Sequence, residues 1–234
     1  MQEFELNRPA LDFRSKEAFK TLRTNIEFSG NDVKVIALTS ATPNEGKSSI
    51  SFELAITFAE AGKKTLLIDA DLRKSVMRSR FSRGKIRYGF THFLAGKREA
   101  QEVMCVTDIE NLYMIFAGPV PPNPSELLGG ERFRTFIEAC RKDFDIIVID
   151  TPPIGSVIDA AVISTCCDGV AVVMAAGEIS YKFAQRIKKQ LEVANAKVLG
   201  LILNKVSLGT KGYYGKYYGK YYGKYYGNYG DSGN

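Results

Sequence analysis

The segment Ala41-Thr-Pro-Asn-Glu-Gly46-Lys47-Ser48 has the residue types and spacing needed to grip a phosphate. It matches G-x-x-x-x-G-K-[ST] except that alanine stands at the first position. In such a loop, successive backbone N–H groups and the N-terminus of the following helix point at phosphate oxygens. Gly46 lets the backbone come close, Lys47 reaches the terminal phosphates and the Ser48 hydroxyl ligates Mg²⁺. The expected nucleotide contacts are Ala41, Asn44, Glu45, Gly46, Lys47, Ser48 and Ser49. Alanine at position 41 removes no donor, because the donors are main-chain groups.

Three carboxylates sit where they can reach the same phosphates. Asp69 and Asp71 close the apolar run LLIDAD and are followed by Arg73, while Asp150 closes IIVID before Thr-Pro-Pro. A single strand-end aspartate is usually a helix cap. Three of them beside a phosphate loop point to metal support and catalysis, with Asp150 holding Mg²⁺ directly or through water. Arg73 either stabilises developing charge or pairs with a neighbouring carboxylate. Asn204-Lys205 ends the last apolar run, where guanine readers carry N-K-x-D, but Ser207 takes the place of the aspartate. Adenine is therefore the expected base and Asn204 its candidate contact. The alternative is an asparagine that only satisfies local backbone.

These groups need strands that end together. Apolar runs at 33–40, 65–71, 112–116, 143–150, 169–176 and 197–206 read as strands. Between them, 48–61, 131–142 and 181–194 read as helices, the first closed by Gly62. Alternation of short apolar strands with helices predicts an α/β fold of the P-loop NTPase type. Its sheet is mostly parallel, with helices on both faces. The segment 15–28 reads as an amphipathic helix capped by Ser15, with Ala18, Leu22 and Ile26 on its apolar face, and GPVPPNPSELL (118–128) reads as a loop.

The chain has 234 residues, 45% of them hydrophobic and 25% charged, with a net charge of +6. This suits one globular domain over 1–207 followed by a tail over 208–234, and the charge alone does not specify nucleic acid. Cys105, Cys140, Cys166 and Cys167 form no C-x-x-C pair, so reduced core thiols are expected rather than a zinc site. No apolar run approaches the roughly 20 residues of a membrane span, and the first residues lack the apolar stretch of a signal peptide. From Leu72 to Arg98 there is no acidic residue, which reads as a solvated face or an anion-docking surface, and His92 within it reads as structural.

The end of the chain is GYYGKYYGKYYGKYYGNYG over 212–230, with no aliphatic residue and no helical or strand periodicity. Frequent glycine makes ordering costly, so a disordered tail is expected. It carries nine of the 12 tyrosines: Tyr213, Tyr214, Tyr217, Tyr218, Tyr221, Tyr222, Tyr225, Tyr226 and Tyr229. A flexible segment of ~20 residues spans ~25 Å on average and reaches ~70 Å when extended, far enough to enter a neighbouring subunit.

The phosphate loop, the doubled D-x-D-x-R, I-V-I-D-T-P-P and the tyrosine-rich tail together resemble the bacterial tyrosine kinases. More narrowly, they resemble the Firmicute capsular and exopolysaccharide type, whose kinase is separate from its membrane subunit. The resemblance implies an ATP- and Mg²⁺-dependent tyrosine kinase that modifies its own tail and regulates polysaccharide synthesis or export. It implies that Lys47 binds phosphate, that Ser48 and Asp71 hold Mg²⁺ with Asp150 behind them, and that Asp69 orients and deprotonates the tyrosine. It also implies a ring of subunits assembled through E-x-x-R-x-x-R, here Glu17, Lys20 and Arg23, with lysine at the middle position. Expected partners are a transmembrane polysaccharide co-polymerase or activator subunit and a tyrosine phosphatase, with no specific nucleic acid. The expected location is the cytoplasm, at the inner membrane face through that partner. Phosphorylation would turn the tail strongly anionic and loosen the ring. The rival class is a partitioning or septum-positioning ATPase, which transfers phosphate to water. Its signature lysine near the start of the loop is here Thr42.

Overall fold

A computed structural model describes residues 2–8, 10–30, 32–83 and 86–206. The expected tail over 208–234, with its nine tyrosines, and the boundary at 207 lie outside the described residues. The strands are β1 Gln2–Leu6, β2 Val35–Ser40, β3 Thr65–Asp69, β4 Phe81–Arg83, β5 Met104–Thr107, β6 Leu112–Ile115, β7 Ile146–Asp150, β8 Gly169–Ala175 and β9 Val198–Asn204. The helices are α1 Phe13–Glu27, α2 Lys47–Glu60, α3 Phe90–Leu94, α4 Ala100–Val103, α5 Pro124–Gly129, α6 Glu131–Asp143, α7 Asp159–Ser164 and α8 Tyr181–Val193.

The strands form one sheet in the order β4-β1-β5-β6-β3-β7-β2-β8-β9. Among the described residues, only the β1–β4 and β5–β6 pairings are antiparallel. The α/β fold with a mostly parallel sheet is as the sequence predicts. Strand β2 is buried along its whole length, and its side chains divide between two cores. Ile36 and Leu38 join one core with Phe52, Phe58 and Val148. Val35 and Ala37 join the other with Ile68, Phe133, Ile137 and Leu191. Helices α1 and α2 cover the first face and α6, α7 and α8 the second, which is why β2 shows no polar alternation.

Helix α2 is buried almost all round, from Lys47 to Ala59, because the N-terminal segment lies across its outer side. Arg8 Nε contacts Glu53 Oε2 at 3.3 Å, and Arg23 Nη1 donates to the Thr57 carbonyl at 3.1 Å. Gly62 ends the helix at φ 80°, with its N–H on the Ala59 carbonyl and that of Lys63 on Phe58. The left-handed turn suits glycine.

Four sequence expectations change. Asp12, not Ser15, caps α1 by accepting from the Ser15 N–H at 2.7 Å; the carboxylate is placed three residues earlier, where it can reach that orphan donor. Ala18 is exposed, and the face of α1 that meets the core is Phe19, Leu22 and Ile26, since packing on α2 turns the helix by a fraction of a turn. Part of the Pro-rich loop is helix α5, with Pro124 in its first turn, where a missing N–H is harmless. The N-terminus adds β1, whose alternating Phe4 and Leu6 are buried while Glu3 and Glu5 are not buried. No described helix is long and apolar enough to cross a membrane.

Candidate nucleotide and catalytic site

Strands β2, β3 and β7 end side by side, and Asp69 is the direct register partner of Asp150. The loop from β2 to α2 curls over these ends. Asn44 and Gly46 both take positive φ, 66° and 88°, the kind of backbone turn from which anion-binding nests of main-chain N–H groups are built. Glycine suits Gly46 because of its left-handed φ, and a Cβ there would stand 2.2 Å from the Asn204 side-chain amide, which would have to move. Asn204 donates this amide to the Glu45 carbonyl at 2.8 Å. In the free protein Asn204 thus braces the phosphate loop from the end of β9, a backbone contact across 159 residues and not one to its own strand.

Glu45 is a site residue whose job spacing alone did not define. Its carboxylate is buried and accepts from the N–H of Thr42 at 2.7 Å and of Ala175 at 3.1 Å. The side chain ties the loop to the end of β8. Ala41 is buried at the start of the loop, where a Cβ on Gly155 would come 2.1 Å from its carbonyl oxygen. Ser49 lies in the first turn of α2.

Lys47 is only 6% exposed, and its Nζ lies 2.7 Å from Asp150 Oδ1 and 3.1 Å from Ser48 Oγ. A cation therefore already sits between two of the hard oxygens expected to surround Mg²⁺. Ser51, which the sequence reading passed over, donates to the same Asp150 oxygen at 2.9 Å. Its signal was available: it follows Lys47 by one helical turn. Among the described residues no group of three or more acidic, histidine or cysteine side chains forms a metal cage.

Asp69 is 1% exposed, accepts from the Asp71 N–H at 3.3 Å and takes the Ser75 hydroxyl on its other oxygen. Burial first, and then the charge of Asp150, push its pKa up to about 7. Asp71 Oδ1 accepts from the N–H of Lys74 at 2.9 Å and of Arg73 at 3.3 Å. Arg73 itself turns away to buried Asp159, resolving its two readings in favour of the carboxylate pair.

The remaining candidates lie elsewhere. Glu17 and Lys20 pair with each other on α1 at 2.7 Å, and Arg23 is the residue that docks on α2. His92 accepts from the Gly89 N–H at 3.1 Å, a structural cap. The four cysteines are free, and burial pushes the thiols of Cys105 and Cys140 up to about 12, which keeps them unreactive.

The fold and this arrangement define a P-loop nucleotide-binding domain, and the AAA domain family matches residues 33–198. Tyrosine-protein kinase CpsD of Streptococcus agalactiae is 46% identical over 204 residues, 86% of this chain and 89% of its own. Tyrosine-protein kinase YwqD of Bacillus subtilis is 38% identical over 207 residues, 86% of each chain. The kinase domain of the Escherichia coli tyrosine kinase ETK superposes with a TM-score of 0.76 at 32% identity, covering 85% of this chain and 80% of that one. The chain belongs to the bacterial tyrosine-kinase family.

Proposed function

We propose that this protein is an ATP- and Mg²⁺-dependent tyrosine kinase that phosphorylates the tyrosines of its own C-terminal segment in trans and regulates capsular or exopolysaccharide synthesis. The observation that carries this reading is the juxtaposition of Asp69 and Asp150 across β3 and β7, directly beside Lys47. One carboxylate serves the phosphate side of the reaction, and the second is left for the incoming hydroxyl.

The main-chain N–H groups around Gly46 and the start of α2 bind the phosphate oxygens, and Lys47 moves from Asp150 to the terminal phosphates. Ser48, Asp71 and Asp150 would hold Mg²⁺, which would supply neutralisation of charge on the transferred group. Asp69 accepts the tyrosine hydroxyl proton at Oδ2, the oxygen that now takes Ser75. Enclosure of Asp69 raises its pKa in the free site, and a base whose pKa lies nearer the working pH takes the proton more readily. Adenine is the base we assign, with Asn204 at its edge.

Subunits meet along α1 through Glu17, Lys20 and Arg23, the last of which also ties the helix to α2 of its own subunit, in a ring that brings each tail to a neighbouring site. A membrane-anchored activator subunit recruits the protein to the inner membrane face, and a tyrosine phosphatase reverses the modification. Intact-mass spectrometry after incubation with ATP and Mg²⁺, with an activator fragment present, tests the reading. The expected result is a ladder of phosphate additions confined to Tyr213–Tyr229, absent in Lys47→Met. ATP consumption with no mass gain would replace the kinase with the switch ATPase.

A further inference from the structure

We infer that Asp159 and Ser125 are positioning residues for phosphoryl transfer, holding the Asp69–Asp71 loop in place through Arg73; this rests on the kinase reading above. Three segments far apart in sequence meet here: the loop after β3, the first turn of α5 and the first turn of α7. Asp159 is completely buried, and its two oxygens receive three donors. Arg73 Nε reaches Oδ2 at 2.7 Å, Arg73 Nη2 reaches Oδ1 at 3.0 Å and the Ser125 hydroxyl reaches Oδ1 at 2.6 Å. Ser125 Oγ in turn accepts from Arg73 Nη2 at 2.9 Å, closing the triad.

Arg73 is bound at both ends. Its guanidinium is fixed by Asp159, while its main-chain N–H donates to Asp71 Oδ1 at 3.3 Å. The neighbouring Lys74 N–H donates to the same oxygen at 2.9 Å. Displacing the guanidinium therefore displaces the main chain that orients Asp71, and with it Ser75, which engages Asp69. The planar fork of arginine fixes direction as well as distance, which a lysine cannot do. An apolar filling of similar volume would join α5 to α7 equally well, since a buried ion pair gains little net stability over such packing. What the triad adds is a defined position for the loop. It also gives the NPSELL segment a role: Pro124 starts α5 so that Ser125 falls in its first turn, facing Asp159.

A misplacement of about 1 Å in a phosphoryl-transfer site lowers the rate by about 10²-fold. Asp159→Asn keeps the shape and the contact with Ser125 but loses the charge-assisted fork. The expected result is a fall in kcat of about 10²-fold, with KM for ATP held within about threefold by the intact phosphate loop. Arg73→Lys should lose about tenfold and Arg73→Gln more, so that charge alone rescues only part. The double variant Arg73→Gln/Asp159→Asn should be no worse than the poorer single one, because both break one strut. Rates are read on folded protein, normalised by near-UV circular dichroism. Should Asp159→Asn fail to fold, the part-exposed Arg73 site still decides through its lysine and glutamine variants. An active wild type beside variants of unchanged kcat overturns the positioning role and leaves the kinase reading standing. A wild type that gains no phosphate sinks the kinase reading and this role with it.

Discussion

Replacing Asp69 with asparagine should stabilise the free protein while abolishing its activity. Asp69 is fully enclosed, and its pKa rises from 3.8 to about 7 on folding, through burial and the nearby charge of Asp150. The folded state therefore holds this proton over a pH window in which the unfolded chain has lost it. Stability from the protonated form is complete below about 3.8 and is lost as pH rises through that window to about 7. A shift of roughly three units corresponds to about 4 kcal/mol, the stability lost by having to ionise Asp69 above that window. Asparagine never ionises. It can still accept from Ser75, but its amide then faces the Asp71 N–H, a mismatch of about 1 kcal/mol. The expected net gain is about 3 kcal/mol at pH 8, shrinking towards zero or slightly below it near pH 4. Urea unfolding of nucleotide-free wild type and Asp69→Asn at pH 4.5, 6 and 8 measures it. A variant no more stable than wild type at pH 8, or a gain that does not change with pH, would refute the electrostatic account of this site.

Two further substitutions probe how the phosphate loop is held. Gly155→Ala places a methyl group 2.1 Å from the Ala41 carbonyl oxygen, so the loops after β2 and β7 must separate. Thermal unfolding should show a loss of about 1–3 kcal/mol, and KM for ATP should rise. Asn204→Ala removes the donor to the Glu45 carbonyl and should cost about 1 kcal/mol in urea unfolding. With kcat nearly unchanged and KM for ATP several-fold higher, it would mark Asn204 as a brace and a nucleotide contact together. An unchanged KM would leave it as a brace alone.

The short-range chemistry was legible in the chain. The spacing from Ala41 to Ser48 specifies a turn of main-chain donors opening a helix, and that local geometry is what forms. Strand-end aspartates mark the crevice because parallel strands finish on one edge, so the sequence alone brings Asp69 and Asp150 together, as their register confirms. The buried runs that became β2, β3, β7 and β8 announced a sheet covered on both faces. The alternation in Gln2–Leu6 was also readable, as the signature of β1.

What the sequence could not say is which polar side chains answer one another over long separations. Glu45 and Ala175, Asn204 and the Glu45 carbonyl, and Arg73 and Asp159 are each brought together only when the sheet order is set. No local pattern encodes such partners, since a buried carboxylate needs a donor of the right direction and not one at a fixed spacing. The same holds for Asp69. Its residue type and position are sequence facts, but its raised pKa comes from enclosure and from Asp150 on the adjacent strand, and only the tertiary structure supplies both.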